Sequence, residues 1–228
     1  MIPIIIAIDG YSSTGKSTLA KALAKILGYT YVDTGAMYRA VSLHALRSGY
    51  IKGEGIDVAS LVSDLESIEI SFVLGENSAS VVCLNAEEVE SEIRGMEVSS
   101  CVSRISAIPE VRSFLVAQQQ LMGVKKALVM DGRDIGSVVF PEAELKLFMT
   151  ASEDIRAQRR YDELLAKGDE VDFESVKSNI IERDYRDTHR EMAPLIQTKD
   201  ALVLDNSCLS PQEQLDWVLE KVRLITSI

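Results

Sequence analysis

Length, composition and charge limit the class of protein before any motif is considered. The chain has 228 residues, enough for a single α/β domain with inserted segments. Its formal net charge of −11 at pH 7 argues against a protein that wraps nucleic acid, since such binding relies on Lys and Arg. We therefore expect no nucleic-acid partner, and any phosphate that is bound must be met by local groups.

The cysteines and the apolar N-terminal segment point to a reduced, cytoplasmic protein. Cys83, Cys101 and Cys208 are far apart and form no CxxC pair, so the sequence indicates neither a disulfide framework nor a zinc site. The apolar residues 1–8 lack a basic flank and end at Asp9, which favours a buried parallel strand over a signal peptide. Other apolar stretches fall short of the roughly 18 residues of a membrane span, so we expect no membrane partner.

The most specific motif begins at Gly10. It reads Gly-Tyr-Ser-Ser-Thr-Gly-Lys-Ser-Thr, follows an apolar strand-like run and opens a helical one, which is the context of a P-loop. An ordinary turn that happens to contain Lys and Ser is the alternative, and the two flanking elements argue against it. We predict a nucleoside triphosphate site in which Lys16 reaches a transferred phosphate and Ser17 holds Mg²⁺. The predicted nucleotide-binding residues are Gly10, Tyr11, Ser12, Ser13, Thr14, Gly15, Lys16, Ser17 and Thr18.

The elements after the P-loop begin with a helix, a strand and a second helix. Apolar residues at helical spacing predict a first helix that ends at Gly28. A short strand is predicted at residues 31–33. Thr34 is then the expected N-cap of a helix over residues 35–46.

The character of the sequence changes at about residue 51. Two β-like runs, residues 68–73 and 80–84, are joined by Gly-Glu-Asn at residues 75–77 and predict a hairpin outside the main alternation. We interpret residues 51–122 as an inserted subdomain.

The rest of the chain returns to alternating strands and helices. Strands are predicted at residues 127–131, 145–149 and 201–205, and helices at residues 109–122, 152–167, 173–190 and from about residue 211. This alternation predicts an α/β fold with a parallel sheet flanked by helices on both faces. The P-loop core should comprise residues 1–50, 123–150 and 191–228, and residues 151–190 should form a helical lid.

Ligands of such sheets gather at the carboxyl ends of the strands. Asp131 ends an apolar strand there, so it is the better candidate to hold Mg²⁺ together with Ser17. Asp9 could instead fix the P-loop by hydrogen bonding. The alternative for Asp131 is a carboxylate that caps the following turn.

Two of the predicted helices carry arginines at helical spacing. One set is Arg156, Arg159 and Arg160, and the other is Arg183, Arg186 and Arg190 with Asp187 among them. Each set should share one helical face. Exposed ion pairs with neighbouring carboxylates are one explanation. The other is phosphoryl transfer, which needs positive charge around the migrating group and a lid that excludes water.

Three further strings carry a resemblance to a known family. They are Tyr-Val-Asp-Thr-Gly-Ala-Met-Tyr-Arg-Ala at residues 31–40, Asp-Gly-Arg-Asp-Ile-Gly at residues 131–136 and Arg-Asp-Tyr-Arg-Asp-x-x-Arg at residues 183–190. With the P-loop, the chain resembles the bacterial cytidylate kinases over nearly its whole length. The resemblance implies transfer of the γ-phosphoryl group of ATP, with Mg²⁺, to CMP or dCMP, giving ADP and CDP or dCDP. The insert would then be an enlarged monophosphate-binding domain.

The resemblance also implies a role for each matched residue. Asp134 would accept from the N4 amino group of cytosine, while Arg112 and Ser103 would donate to the base atoms O2 and N3. These roles match the donor and acceptor pattern of cytosine. The implied phosphate contacts are Arg39, Arg133 and Arg190, the implied sugar contacts are Tyr38, Arg183 and Asp187, and the implied catalytic residues are Lys16, Arg133, Arg156 and Arg160.

Five of these residues have a structural alternative. Arg112 and Ser103 could be solvated, Arg133 and Asp134 could form an internal ion pair, and Tyr38 could serve packing.

Two other functions remain open at this stage. A GTPase-like switch would need a guanine-reading Asn-Lys-x-Asp string, which the sequence lacks. A kinase for another small acceptor, such as UMP or a sugar, stays possible. We expect the protein to act as a monomer on small-molecule substrates.

Overall fold

The computed structural model of the chain describes residues 2–74 and 80–226. Within them the strands are β1 Ile5–Gly10, β2 Thr30–Asp33, β3 Ile51–Lys52, β4 Gly55–Ile56, β5 Ile70–Leu74, β6 Ser80–Leu84, β7 Glu87–Glu88, β8 Leu128–Asp131, β9 Leu145–Thr150 and β10 Leu202–Asp205. The α-helices are α1 Lys16–Leu27, α2 Thr34–Arg47, α3 Val58–Asp64, α4 Met96–Ile105, α5 Pro109–Met122, α6 Glu153–Ala166, α7 Phe173–His189 and α8 Pro211–Thr226. None of the helices in these ranges is both long enough and apolar enough to cross a membrane.

The central sheet has five strands in the order β10-β9-β1-β8-β2. Its inner pairs are parallel, with Ile8 of β1 opposite both Asp131 of β8 and Leu147 of β9. β1 is buried along its whole length, as expected for a strand covered on both faces. The predicted parallel α/β sheet is therefore confirmed, and the segments that follow β1, β8, β9 and β10 lie at one edge of it.

The chain divides into two compact units, of which the first comprises Met1–Tyr31 and Met122–Ile228. Its core joins the sheet to α1 and α8, with Ile6, Leu23 and Val218 fully buried. α6 and α7 also belong to this unit and pack on each other through a smaller apolar cluster that contains Ala157 and Ile180. Both helices lie within a residue or two of the predicted bounds.

The second unit is Val32–Leu121, so it starts well before the predicted residue 51. The reason is that α2, which the sequence assigned to the core, packs extensively against α4. The predicted hairpin is present as antiparallel β5 and β6, extended by the short strand β7. The predicted connection at residues 75–77 lies outside the described residues.

Two helix termini test the local predictions. α1 ends at Gly28, whose φ of 67° is in the left-handed region, as predicted. The expected N-cap Thr34 is wrong by one residue, because the carboxylate of Asp33 accepts from the amide of Ala36 at 3.0 Å. Asp33 thus satisfies one of the amide groups left open at the start of α2.

Candidate active site

The P-loop runs from the end of β1 into α1. At Gly10 the φ is 145°, and a Cβ atom would lie 2.0 Å from the carbonyl oxygen of Met149, the residue opposite it in β9. Gly15, with a φ of 84°, directly precedes the first residue of α1. Because glycine has no side chain to cap the helix, the first amide groups of α1 can meet an anion.

Lys16 is buried and folded back onto its own loop. Its ammonium group donates to the carbonyl oxygens of Gly10 at 2.8 Å and Tyr11 at 2.6 Å. Burial, together with the nearby charge of Arg133, lowers the pKa of Lys16 well below its usual value. An anionic phosphate beside the ammonium group would favour its charged form and offer a better partner than the two carbonyls.

Ser17 and Asp131 are in direct contact. The Ser17 hydroxyl donates to the Asp131 carboxylate at 2.9 Å, and the Tyr31 hydroxyl donates to the other carboxylate oxygen at 2.8 Å. One hydroxyl and one carboxylate suit Mg²⁺, which commonly takes one or two protein oxygens and completes its shell with water and phosphate oxygens. In residues 2–74 and 80–226 no group of three or more His, Cys, Asp or Glu is arranged to hold a metal ion.

Asp9 fixes a different segment from the one expected. Its carboxylate accepts from the amides of Ile135 at 2.8 Å and Gly136 at 2.7 Å, so it holds the turn after β8 and not the P-loop. Burial raises its pKa to about 6, against the opposite effect of these two hydrogen bonds.

A buried ion pair that the sequence analysis missed supports the P-loop. Asp184 of α7 is paired with Arg156 of α6 and accepts from the amide of Ser12 at 2.9 Å. The guanidinium of Arg156 also lies 5.2 Å from the centroid of the Tyr11 ring. In the sequence, Asp184 is one of the carboxylates next to the arginines of α7, where an exposed ion pair is the expected role. The sequence offers no signal for its role, because its partners are far away along the chain.

Asn206 is a second residue whose bonds the sequence does not specify. It follows β10 at the carboxyl edge of the sheet, is buried, and donates to the carbonyl of Thr14 at 2.7 Å. Its side-chain oxygen accepts from Arg159 at 2.9 Å. Its position directly after an apolar strand, at the edge where ligands gather, is the signal that the sequence offers for it.

The segment after β8 and the end of α7 hold the predicted acceptor residues of the first unit. Arg133 donates to Asp187 at 2.7 Å, while Arg190 lies 3.7 Å from the carboxylate of Asp134 and 3.6 Å from that of Asp187. The pKa of Asp187 is below its usual value: burial opposes this shift, and the charge of Arg133 is the main cause of it, with smaller effects of Arg190 and Arg183. This unit therefore brings Arg133, Asp134, Arg183, Asp187 and Arg190 into one charged cluster.

The second unit holds the remaining predicted acceptor residues. Arg112 of α5 is buried, donates to the carbonyl of Ser106 at 3.0 Å and lies 5.3 Å from the centroid of the Tyr38 ring. Arg39 donates to the hydroxyl of Ser99 at 2.9 Å. Ser103 is partly buried on α4. Arg112 is therefore buried and not solvated. The contact between Arg112 and Tyr38 is consistent with packing and with ligand binding.

The three arginines of α6 do not share one environment. Arg156 is buried beside Ser12, Arg159 bonds Asn206, and Arg160 pairs with Glu163 at 2.9 Å on the solvent-facing part of the helix. The three guanidinium groups of α6 therefore have separate partners, although their spacing along the helix is as predicted. The reason is that the partners of these side chains lie in different elements.

A glycine-rich loop connects the first strand of a parallel sheet to a helix that begins with a buried lysine. This arrangement defines a P-loop protein of the nucleotide-binding class. Comparison with known proteins gives the family. The cytidylate kinase family model matches residues 6–224. The chain is 54% identical over 229 residues to a cytidylate kinase of Flavobacterium johnsoniae, covering 100% of both chains. It is 55% identical over 222 residues to one of Parabacteroides distasonis, covering 97% of each. The chain belongs to the cytidylate kinase family.

A solved structure supports the fold alone. The crystal structure of an uncharacterized protein from Eubacterium ventriosum covers 98% of this chain and 99% of its own, with a TM-score of 0.52 and 11% sequence identity.

Proposed function

We infer that this chain transfers the γ-phosphoryl group of ATP to CMP or dCMP, giving ADP and CDP or dCDP. The observation that carries this inference is its similarity over the full length to cytidylate kinases, at 54% identity. The P-loop geometry supports the donor half of the reaction. In the chemical step a phosphate oxygen of CMP attacks the γ-phosphorus, and the oxygen that bridges the β- and γ-phosphorus atoms leaves with ADP.

The donor nucleotide binds the loop from Gly10 to Thr18. The amide groups at the start of α1 meet phosphate oxygens, and Lys16 exchanges the carbonyls of Gly10 and Tyr11 for the phosphates. An anion beside the buried ammonium group raises its lowered pKa, so nucleotide binding favours the positive charge that phosphoryl transfer needs.

Mg²⁺ accompanies ATP and is held by Ser17 and Asp131. The contact between the hydroxyl and the carboxylate supports this assignment. When bound, the ion neutralises charge on the β- and γ-phosphates. Tyr31 and the position of Asp131 at the end of β8 keep the carboxylate in place.

On the pattern of the family, CMP is recognised through its base, its phosphate and its sugar. Asp134 accepts from the cytosine amino group, and Arg112 and Ser103 donate to the base. Uracil presents a carbonyl where cytosine has its amino group, and a buried carboxylate facing that carbonyl leaves both acceptors unsatisfied. The proposed phosphate contacts are Arg39, Arg133 and Arg190, and the proposed sugar contacts are Tyr38, Arg183 and Asp187.

Charge stabilisation and positioning carry the chemical step in this proposal, with no covalent intermediate. Lys16, Arg133, Arg156 and Arg160 supply positive charge. Arg156 lies beside the P-loop, which supports its role. Arg160 is bonded to Glu163 at the surface, so its role requires that it exchange this partner when α6 and α7 close over the nucleotide.

A coupled ADP-release assay tests the proposed function. The purified chain is given ATP and Mg²⁺ with CMP, dCMP, UMP, AMP or dTMP, and we expect turnover with the cytosine nucleotides to exceed that with all others. Preference for UMP would overturn the role of Asp134. Inactivity with every acceptor would overturn the proposed reaction. Gel filtration checks the proposal that the protein is a monomer, and cell fractionation checks that it is cytoplasmic.

A further inference from the structure

Ser12 is buried in the P-loop, and each of its three polar groups is bonded to a different charged residue. Its amide donates to Asp184 at 2.9 Å, and its carbonyl accepts from Arg156 at 3.2 Å. Its hydroxyl accepts from Arg133 at 3.1 Å. These three partners are more than a hundred residues away along the chain.

The partners of Ser12 form two buried ion pairs that meet at this residue. Arg156 pairs with Asp184, and Arg133 pairs with Asp187. Asp184 and Asp187 are one helical turn apart on α7, so both pairs are anchored on the same helix face. The backbone of Ser12 is bonded to the first pair, and its hydroxyl is the group bonded to the second.

The backbone and the side chain of Ser12 therefore have different roles. The backbone contacts hold the shape of the loop and are independent of the side chain. The hydroxyl bonds the outer nitrogen Nη2 of Arg133, whose Nε is taken by Asp187 and whose Nη1 donates to the carbonyl of Gly132. An anion that draws the Arg133 guanidinium toward itself changes the hydrogen bond to Ser12 and therefore acts on the loop.

We propose that the Ser12 hydroxyl is a positioning group that couples acceptor binding at Arg133 to nucleotide binding by the P-loop. The proposal rests on the proposed function, which places the acceptor phosphate at Arg133 and ATP in the loop. Because coupling between two ligands is reciprocal, CMP changes the affinity for ATP by the same factor as ATP changes the affinity for CMP. Ser12→Ala removes the hydroxyl and leaves both backbone contacts.

The test measures the affinity of a non-hydrolysable ATP analogue by calorimetry, with and without saturating CMP. For the unaltered protein we expect CMP to change this affinity by at least about five-fold, as is typical of coupled sites. In Ser12→Ala the analogue alone should bind within about two-fold of the unaltered protein, while the effect of CMP falls at least about three-fold. The same variant should show a lower kcat with little change in the KM for ATP.

A second variant and a matched control complete the design. Ser12→Gly removes the same hydroxyl and must give the same loss of coupling, which guards against a folding defect in one variant. Ser178→Ala alters an exposed serine on α7 and should leave the coupling unchanged. Equal loss of analogue affinity with and without CMP, or unchanged coupling in both Ser12 variants, would overturn the proposal.

Failure of the proposed function gives a different result. In that case the unaltered protein neither binds CMP nor releases ADP with it, whatever the variants do. If it does both and the affinity for the analogue is independent of CMP, the proposed function stands and the coupling role of Ser12 is wrong.

Discussion

The ion pairs of α6 and α7 fall into two groups with the same chemistry and different surroundings. In the buried pair Arg156–Asp184 the two side chains are 5% and 11% exposed. In the surface pair Arg186–Glu182 they are 53% and 58% exposed. Removing one partner from the buried pair leaves a charge away from water, whereas a surface charge regains its hydration. Burial, and not residue type, therefore decides how much an ion pair of α6 and α7 matters to the protein.

The largest effect should come from the buried lysine at the centre of the P-loop. We expect Lys16→Ala to lower kcat with ATP and CMP by roughly 10³-fold, equivalent to about 4 kcal/mol of transition-state stabilisation. Steady-state kinetics measures it. Lys167→Ala, in a surface pair with Glu163, is the matched control and should stay within about two-fold of the unaltered protein. Similar activities of the two variants would show that Lys16 has no role in the chemical step.

Breaking the buried pair should cost the most stability. We expect Asp184→Ala to lower the free energy of unfolding by about 3–5 kcal/mol, because Arg156 stays buried without its carboxylate and Ser12 loses its acceptor. Urea denaturation measures this loss as a lower midpoint concentration of urea, with the slope of the transition unchanged. A loss below about 1 kcal/mol, the range of exposed pairs, would show that the buried pair behaves like a surface pair.

Asp9 sharpens the comparison, because it is a buried carboxylate held mainly by backbone amides. Its pKa is raised from 3.8 to about 6 in the folded protein, so the folded state binds the proton more tightly than the unfolded state. The contribution of Asp9 to stability is therefore greatest below pH 4 and falls as the pH rises to 6. At pH 6 the carboxyl is still about half protonated, so the contribution falls further and levels off near pH 7.

The variant Asp9→Asn cannot titrate at this position. The stability of the unaltered protein minus that of Asp9→Asn should fall by about 2–3 kcal/mol between pH 4 and pH 7. Urea denaturation across this range measures it, and Asp169→Asn, at an exposed aspartate, controls for the substitution itself. A difference that rose with pH would contradict the raised pKa.

The smallest effect should come from the surface pair on α7. Glu182→Gln should change the free energy of unfolding by less than about 0.5 kcal/mol and leave turnover unchanged, because Arg186 remains in water. Thermal unfolding and the ADP-release assay measure both quantities. A change above about 2 kcal/mol would place this pair with the buried group and end the distinction between the two.

The parts of the fold that depend on neighbouring residues could be predicted from the sequence. Apolar runs placed the strands of the parallel sheet, and Gly28 ended α1 as expected because only local backbone geometry is involved. The unit boundary at Val32 could not be placed, since it depends on packing between α2 and α4. The same limit explains the wrong N-cap of α2, where two polar residues, Asp33 and Thr34, compete and only the observed hydrogen bond decides.

The candidate site follows the same rule. The P-loop and the contact of Ser17 with Asp131 follow from a motif and from strands that end at one edge of a sheet. The place of Asn206 directly after a strand marks it as a candidate, but neither its neighbourhood nor that of Asp184 reveals a partner more than a hundred residues away. The identity of a residue indicates which bonds it can form, and only the fold selects among them.

The close approach of Gly10 to the carbonyl oxygen of Met149 limits how the sequence of this protein can evolve. Gly10 lies opposite Met149 of β9 and also begins the P-loop, so any side chain there would disturb the sheet and the nucleotide site together. The arginines of α6 and α7 can change one at a time, whereas no side chain larger than that of glycine fits at this position.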